Sequence, residues 1–375
     1  MTDTATTQPP PRLPISVLTG FLGSGKTTLL SKLIRDPRMA NTAVIINEFG
    51  EVGLDHLLVA KADENTVLMD SGCLCCTIRS DLSETLRELF LKRLKGDVPP
   101  YERVVIETTG LADPAPILHT LMTDPLIAAR FRLDGVVTTV DAVHGSGQLD
   151  ANEESLKQAA VADRLVLTKT DIAAPEQVAA LKVRLAALNP AAAQIDAQTD
   201  GKTGGQSEAG LPVLLFDAGL YNPATKSLDV QRWLKAEAYE DHGDCDHAHG
   251  ECHHDHGQEH GHGHAHDANR HDDAIGAFCL TLDQPLVWDQ AVGFFETLAR
   301  LRGPDILRVK GLLNVEGSPR PIVIHGVQHL FHPPVQLEAW PSDDHRSRIV
   351  FITRDVTRAE IETLFRACTG GAASA

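Results

Sequence analysis

Eight residues, GFLGSGKT from Gly20 to Thr27, concentrate more potential chemistry than any other stretch of this sequence. They fit the pattern G-x-x-x-x-G-K-S/T, directly after an apolar β-branched run and directly before a helical pattern from Thr28 to Ile34. Gly20, Gly23 and Gly25 allow successive backbone N–H groups to turn inward around a phosphate. Ser24 and Thr28 belong to the same cradle, and the following helix adds the favourable end of its dipole. Lys26 can neutralise β and γ oxygens, and Thr27 can offer its hydroxyl to magnesium. A second element, Glu107-Thr108-Thr109-Gly110, closes the apolar run Val104 to Ile106. An acidic side chain there can hold magnesium through water, and Gly110 can let a backbone N–H reach a γ-phosphate. Lys26, Thr27 and Glu107 are the candidate catalytic residues.

Thr168-Lys169-Thr170-Asp171 ends another apolar run, Arg164 to Leu167, and resembles the N-K-x-D guanine-reading motif of GTPases. In that motif the aspartate accepts two hydrogen bonds from the guanine edge while the lysine stem lies along the base. Adenine presents the wrong donors, so Asp171 favours GTP over ATP. Thr168 departs from the motif, because a hydroxyl does not reproduce every contact of an amide.

Gly72-Cys73-Leu74-Cys75-Cys76 places three thiols within four residues. A soft sulfur donor set suits zinc, cuprous copper or cobalt and disfavours magnesium. No second Cys or His pair follows within the next fifty residues, so the expected site is open and its ion exchangeable. Asn47 to Asp55 leaves the second apolar run where a nucleotide-sensing loop would sit, and Glu51 is the carboxylate expected on the metal side. Between Glu237 and Asp273 lie eleven of the eighteen histidines, with Cys245 and Cys252, among carboxylates. Neutral imidazoles in that density should collect several ions loosely.

These residues need a scaffold, and the run pattern supplies one. Strands are expected near Ile15 to Thr19, Thr42 to Asn47, Val67 to Met69, Arg103 to Glu107, Gly135 to Asp141, Arg164 to Thr168 and Val213 to Phe216. Several are apolar throughout, as strands covered on both faces are. Alternation with longer amphipathic stretches predicts an α/β fold, a mostly parallel P-loop NTPase sheet with flanking helices. The 236–274 segment carries eleven acidic residues against a single arginine and cannot build a core, so it reads as a flexible His/Asp-rich linker. Beyond it, strands near Gly276 to Leu282, Ile306 to Leu313, Ile322 to His325 and Ile349 to Thr353, with helices near Trp288 to Leu301 and Thr357 to Cys368, predict a small C-terminal α+β domain. The expected organisation is a disordered 1–12, a nucleotide domain at 13–235, the linker at 236–274 and the second domain at 275–370.

Composition narrows the function. A formal net charge of -17 argues against a nucleic-acid partner, which generally needs a basic face. No secretory leader and no bilayer-length apolar segment is visible, which predicts a cytoplasmic protein without a membrane partner. Seven cysteines, three of them clustered, fit metal ligation better than a disulfide framework.

GFLGSGKTTLL, NEFGEVGLD, GCLCC, ETTGLADP and the ADR and TKTD pair together resemble the CobW family of metal-trafficking P-loop GTPases. Past the linker, Leu307 to Gly311, Gln328, Trp340 and Arg348 are similar to that family's C-terminal domain. The resemblance implies a GTP-hydrolysing metallochaperone in which the C-x-C-C thiolates carry zinc, or cobalt in relatives linked to cobalamin synthesis. Hydrolysis would drive transfer to a client metalloprotein, with a homodimer left open. A different class of function, a metal store in which nucleotide only stabilises the fold, fits the His tract and thiols. A small-molecule P-loop kinase fits the phosphate loop alone.

Overall fold

The computed structural model describes residues 12–46, 67–70, 78–200, 210–216 and 275–370. In chain order the first unit contains β1 (Leu13–Gly20), α1 (Lys26–Leu33), β2 (Thr42–Ile46), β3 (Val67–Asp70), α2 (Ile78–Lys95), β4 (Arg103–Glu107), α3 (Ala115–Thr123), α4 (Pro125–Arg130) and β5 (Phe131–Asp141). It continues with α5 (Gly145–Ala151), α6 (Glu153–Ala160), β6 (Arg164–Thr168), α7 (Pro175–Leu188), β7 (Ala193–Asp196) and α8 (Gly210–Leu215). The strands form one seven-stranded sheet, ordered β3-β2-β4-β1-β5-β6-β7, and every pairing is parallel.

Successive residues of a strand serve opposite faces, and both faces are covered. Val104 and Ile106 pack with Leu86 of α2 and Leu118 and Leu121 of α3, whereas Val105 packs with Leu29, Leu30 and Leu33 of α1. That double burial is why these runs are apolar at every position. Because all the strands are parallel, their C-terminal ends share one edge, where Gly20, Glu107, Thr168 and Asp70 emerge together.

The second unit contains β8 (Ile275–Leu282), α9 (Trp288–Arg302), β9 (Ile306–Leu313), β10 (Ile322–Val327), β11 (Leu330–Phe331), β12 (Val335–Gln336), β13 (Ser347–Arg354) and α10 (Arg358–Thr369). Its antiparallel sheet runs β11-β10-β9-β13-β8, with β12 paired to β10. Phe294 of α9 lies 5.1 Å from Phe365 of α10 and 6.5 Å from Phe351 of β13, ring centre to ring centre, which ties both helices to the sheet. Thr357 starts α10 with a capping box: its Oγ1 accepts from Glu360 N at 3.3 Å, and the Glu360 carboxylate accepts from Thr357 N at 2.7 Å.

One expected strand is a helix. Val213 to Phe216 falls in and just after α8, where Leu211 and Leu215, one turn apart, bury against the α1 side of the sheet. A four-residue apolar run fits either structure, and the left-handed Gly210 with Pro212 in the first turn decides for the helix. The seventh strand is instead β7, whose Ala-Gln-Ile-Asp has little strand character of its own. It is held by β6 and by the flanking bonds Ala193 N to Asp163 O and Ala197 N to Leu167 O. Among the described residues no helix is long and apolar enough to cross a membrane.

Candidate functional site

The phosphate loop is built where β1 ends against β5. A Cβ on Gly20 would collide with the hydroxyl and carbonyl of Thr139, so the strand can turn there only as glycine. Gly25 precedes α1 in the left-handed conformation and no side chain caps the helix, which leaves the first-turn N–H groups open. Lys26 Nζ donates to Gly20 O at 2.8 Å and Phe21 O at 3.2 Å, lying across the loop it would share with a phosphate. Ser24 is fully buried, its hydroxyl 2.6 Å from Thr139 Oγ1, so its side chain braces the loop from beneath. Gly23 and Thr28 are exposed beside it.

Thr27 and Glu107 meet at this edge, Thr27 Oγ1 donating to Glu107 Oε1 at 2.6 Å across eighty residues of sequence. Glu107 is 3% exposed. A hydroxyl and a carboxylate side by side next to a phosphate cradle form a hard oxygen donor set, which fits magnesium. Gly110 lies against the same loop: a Cβ there would stand 2.8 Å from the Leu22 backbone, so glycine is required for the approach.

The loop after β6, expected from the sequence to read the base, is braced in three directions. Thr168 Oγ1 donates to Ser24 O at 2.7 Å, which ties the loop directly to the phosphate cradle. Lys169, left-handed at φ 58, donates to Asp141 Oδ2 at 2.6 Å. Thr170 Oγ1 donates to Asp196 Oδ1 at 2.8 Å, joining the turn to the end of β7. Asp171 is exposed at the tip. Burial pushes the Asp141 carboxyl upward, but the Lys169 hydrogen bond and the N–H groups of Val143 and His144 outweigh it and hold the group below the usual carboxylate range. Thr168 therefore performs a bracing task that needs only a hydroxyl. Thr168→Val keeps the shape and removes the bond, so nucleotide affinity should fall about fivefold, roughly 1 kcal/mol. Titration with a fluorescent GDP analogue measures it, and an unchanged affinity would remove the brace from the account.

Cys73, Cys75, Cys76 and Glu51 lie outside the described residues, as does the His tract. The sheet register nevertheless fixes where the thiol segment departs. Ile46 pairs with both Glu107 and Asp70, so Asp70 ends β3 in the same row as Glu107, two strands away, on the order of 10 Å. Cys73 follows three residues later. Among the described residues no group of three or more His, Cys, Asp or Glu is placed to hold a metal ion.

Two sets of residues at this site stand in motifs whose partners the sequence does not name. Asp163, just before β6, is buried between Arg308 and Lys310 of β9. Arg308 donates to its Oδ1, Lys310 Nζ lies 3.1 Å from the same oxygen, and Val136 N donates to Oδ2 at 2.9 Å. Asp113, in the loop after Gly110, accepts from Ala115 N at 2.8 Å and from Gln328 of the β10 to β11 turn at 3.2 Å. The loop beside the phosphate cradle thus touches the C-terminal sheet directly. Asp163, Arg308 and Gln328 stand inside segments the sequence singled out, but nothing local to any of them names a partner more than a hundred residues away.

Residues 14–196 match the CobW/HypB/UreG nucleotide-binding domain, and residues 275–369 match the cobalamin synthesis protein cobW C-terminal domain. The zinc chaperone YjiA of Escherichia coli is 30% identical, covering 94% of this chain and 97% of that protein. Zinc-regulated GTPase metalloprotein activator 1 of Schizosaccharomyces pombe is 32% identical over 59% of this chain and 53% of its own length. The crystal structure of Zn(II)-bound YjiA GTPase from E. coli aligns with a TM-score of 0.64 at 26% identity, covering 96% of this chain and 99% of that one.

Proposed function

This chain belongs to the CobW/HypB/UreG family and is a P-loop GTPase, and we propose that it uses its GTP cycle to hold zinc on Cys73, Cys75 and Cys76 and to hand it to client metalloproteins. The observation that carries this reading is the shared row of Glu107, Ile46 and Asp70. The strand that delivers the thiol segment ends two strands from the carboxylate of the phosphate site. Three residues of chain span about 10 Å at most, so the thiols begin within reach of whatever the phosphate edge does.

The roles follow from the geometry. Lys26 leaves the carbonyls of Gly20 and Phe21 for phosphate oxygens, and the open first turn of α1 supplies backbone donors. Thr27 and Glu107 are the pair that would hold magnesium, which supplies charge neutralisation on the phosphates when bound. Thr168, Lys169 and Asp171 form the base side, with Asp171 exposed where a guanine edge can reach it. Glu51 is proposed as the carboxylate that passes the state of the terminal phosphate to the thiols. A soft sulfur set with one open position lets the cargo leave, and the same set accepts cobalt. The zinc named for YjiA and the metalloprotein activation named for the fission-yeast relative support zinc and a protein recipient. We place the protein in the cytoplasm, where thiols stay reduced.

The test is the zinc affinity of the GDP form against that of the form bound to a non-hydrolysable GTP analogue, by chelator competition. A difference of tenfold or more, about 1.4 kcal/mol, is expected, and Cys75→Ser should abolish the tight site in both forms. Equal affinities would reject the coupling and favour a metal store in which nucleotide is structural.

A further inference from the structure

The loop that carries Gly110 is held from behind by Gln158, a fully buried residue in the last turn of α6. Its side-chain amide donates to Gly110 O at 3.2 Å and to Ala112 O at 2.9 Å. Two carbonyl acceptors on one side identify which end of the amide is nitrogen. Thr138 Oγ1 of β5 donates to Gln158 O at 2.8 Å and pins the helix at this point. The other end of the amide, Oε1, is buried and meets no donor among the described residues. Buried acceptors are rarely left idle, and one that is invites a functional explanation.

A trans peptide points its C=O and N–H to opposite sides. Holding Gly110 O toward α6 therefore turns the N–H of Leu111 away from α6. The same loop begins at Glu107, paired with Thr27, and Gly110 abuts the phosphate loop at Leu22. Gln158 touches neither nucleotide nor magnesium site, yet it sets the orientation of the main chain that borders the terminal-phosphate position. The idle Oε1 gives the amide an acceptor for a loop N–H should that main chain turn over, so one side chain can dock the loop in two orientations.

We propose that Gln158 is a positioning residue for the terminal phosphate, holding the main chain from Gly110 to Ala112 so that its donors face the phosphate loop when GTP is bound. GDP has no group at that position and gains nothing from the arrangement. The inference rests on the P-loop assignment and is independent of the zinc reading.

Gln158→Met keeps the length and apolar bulk of the side chain and removes both donors. In the full-length protein it should weaken a non-hydrolysable GTP analogue about fivefold or more and lower kcat by a similar factor. GDP affinity should stay within about twofold, since the coupling acts only through the terminal phosphate. Gln158→Leu removes the donors with a branched apolar side chain and should give the same analogue-selective loss, and either variant serves if the other does not fold. A residue that merely fills the core would lower both affinities together or change neither with kcat intact, and either of those results overturns the proposal. Wild-type GDP binding measured alongside reports on the P-loop assignment separately.

Discussion

Asp163→Ala should destabilise the protein by about 3–5 kcal/mol, because it strips two buried cations of their shared carboxylate. At roughly 2–4 °C per kcal/mol for a chain of this size, the melting temperature should fall on the order of 10 °C. The side chains of Asp163, Arg308 and Lys310 are 1%, 3% and 5% exposed, so no solvent can replace the lost partner. Burial alone would push the Asp163 carboxyl up, yet Arg308 and Lys310 more than reverse it, and the group stays ionised below the usual carboxylate range. One carboxylate does not satisfy two cations equally. Burial and the Arg308 charge pull Lys310 down to about 7 despite the opposing pull of Asp163. Between that value and its ordinary 10.5 the unfolded chain binds a proton that the folded one does not, so the Lys310 contribution rises with pH across this window and is poorest below it. The Asp163 contribution has the opposite limit, being present above the ordinary carboxylate value and lost as pH falls. Lys310→Met is the control: it should cost little at pH 7 and remove the gain that wild type shows toward pH 10. Thermal melts of the three proteins across that range decide it, and an Asp163→Ala loss under about 1 kcal/mol would mean the seam does not depend on this clasp.

The contrast between Asp163 and Lys26 shows what a sequence discloses. Lys26 stands among partners that are its neighbours in the chain, Gly20 and Phe21, so spacing alone gives its position. Asp163 meets Arg308 across 145 residues, and no periodicity links the two. Glu107 belongs with Lys26, since a carboxylate closing an apolar strand beside a P-loop has few other places to be. In the parallel sheet the most legible strands are those buried on both faces, β2, β4 and β6, where the inner residues are all apolar. β7 is less legible because it is a short edge strand whose hydrogen bonds come from β6, while Val213 to Phe216 reads as a strand until Gly210 and Pro212 before it are weighed. Gln158 was invisible for a related reason: a glutamine in an amphipathic helix looks like a solvated residue until the fold buries it against two carbonyls. The thiols are the reverse case: their spacing singles them out in the sequence, and they lie outside the described residues.

Lys26→Ala is expected to reduce GTP hydrolysis by about 10²–10³-fold or more, the scale of removing one preorganised charge from a developing oxyanion. Lys26 is 9% exposed, and its ammonium donates to the carbonyls of Gly20 and Phe21. Those carbonyls exchange for phosphate oxygens on binding, so the charge is already desolvated before substrate arrives and loses little in the transfer. Alanine removes the charge that would meet the phosphates, so affinity for the GTP analogue should fall as well, while Phe21 O keeps the Ser24 N–H as a donor. GDP, with less charge at the loop, should be affected less. Lys26→Arg is the informative companion, because a planar guanidinium cannot place a point charge between two strand-end carbonyls and should rescue affinity only in part. Single-turnover hydrolysis at saturating GTP separates the binding loss from the chemical one. If Lys26→Ala kept hydrolysis within tenfold of wild type, the ammonium would have no part in phosphate chemistry. Its bonds to Gly20 and Phe21 would then be a structural latch on the loop.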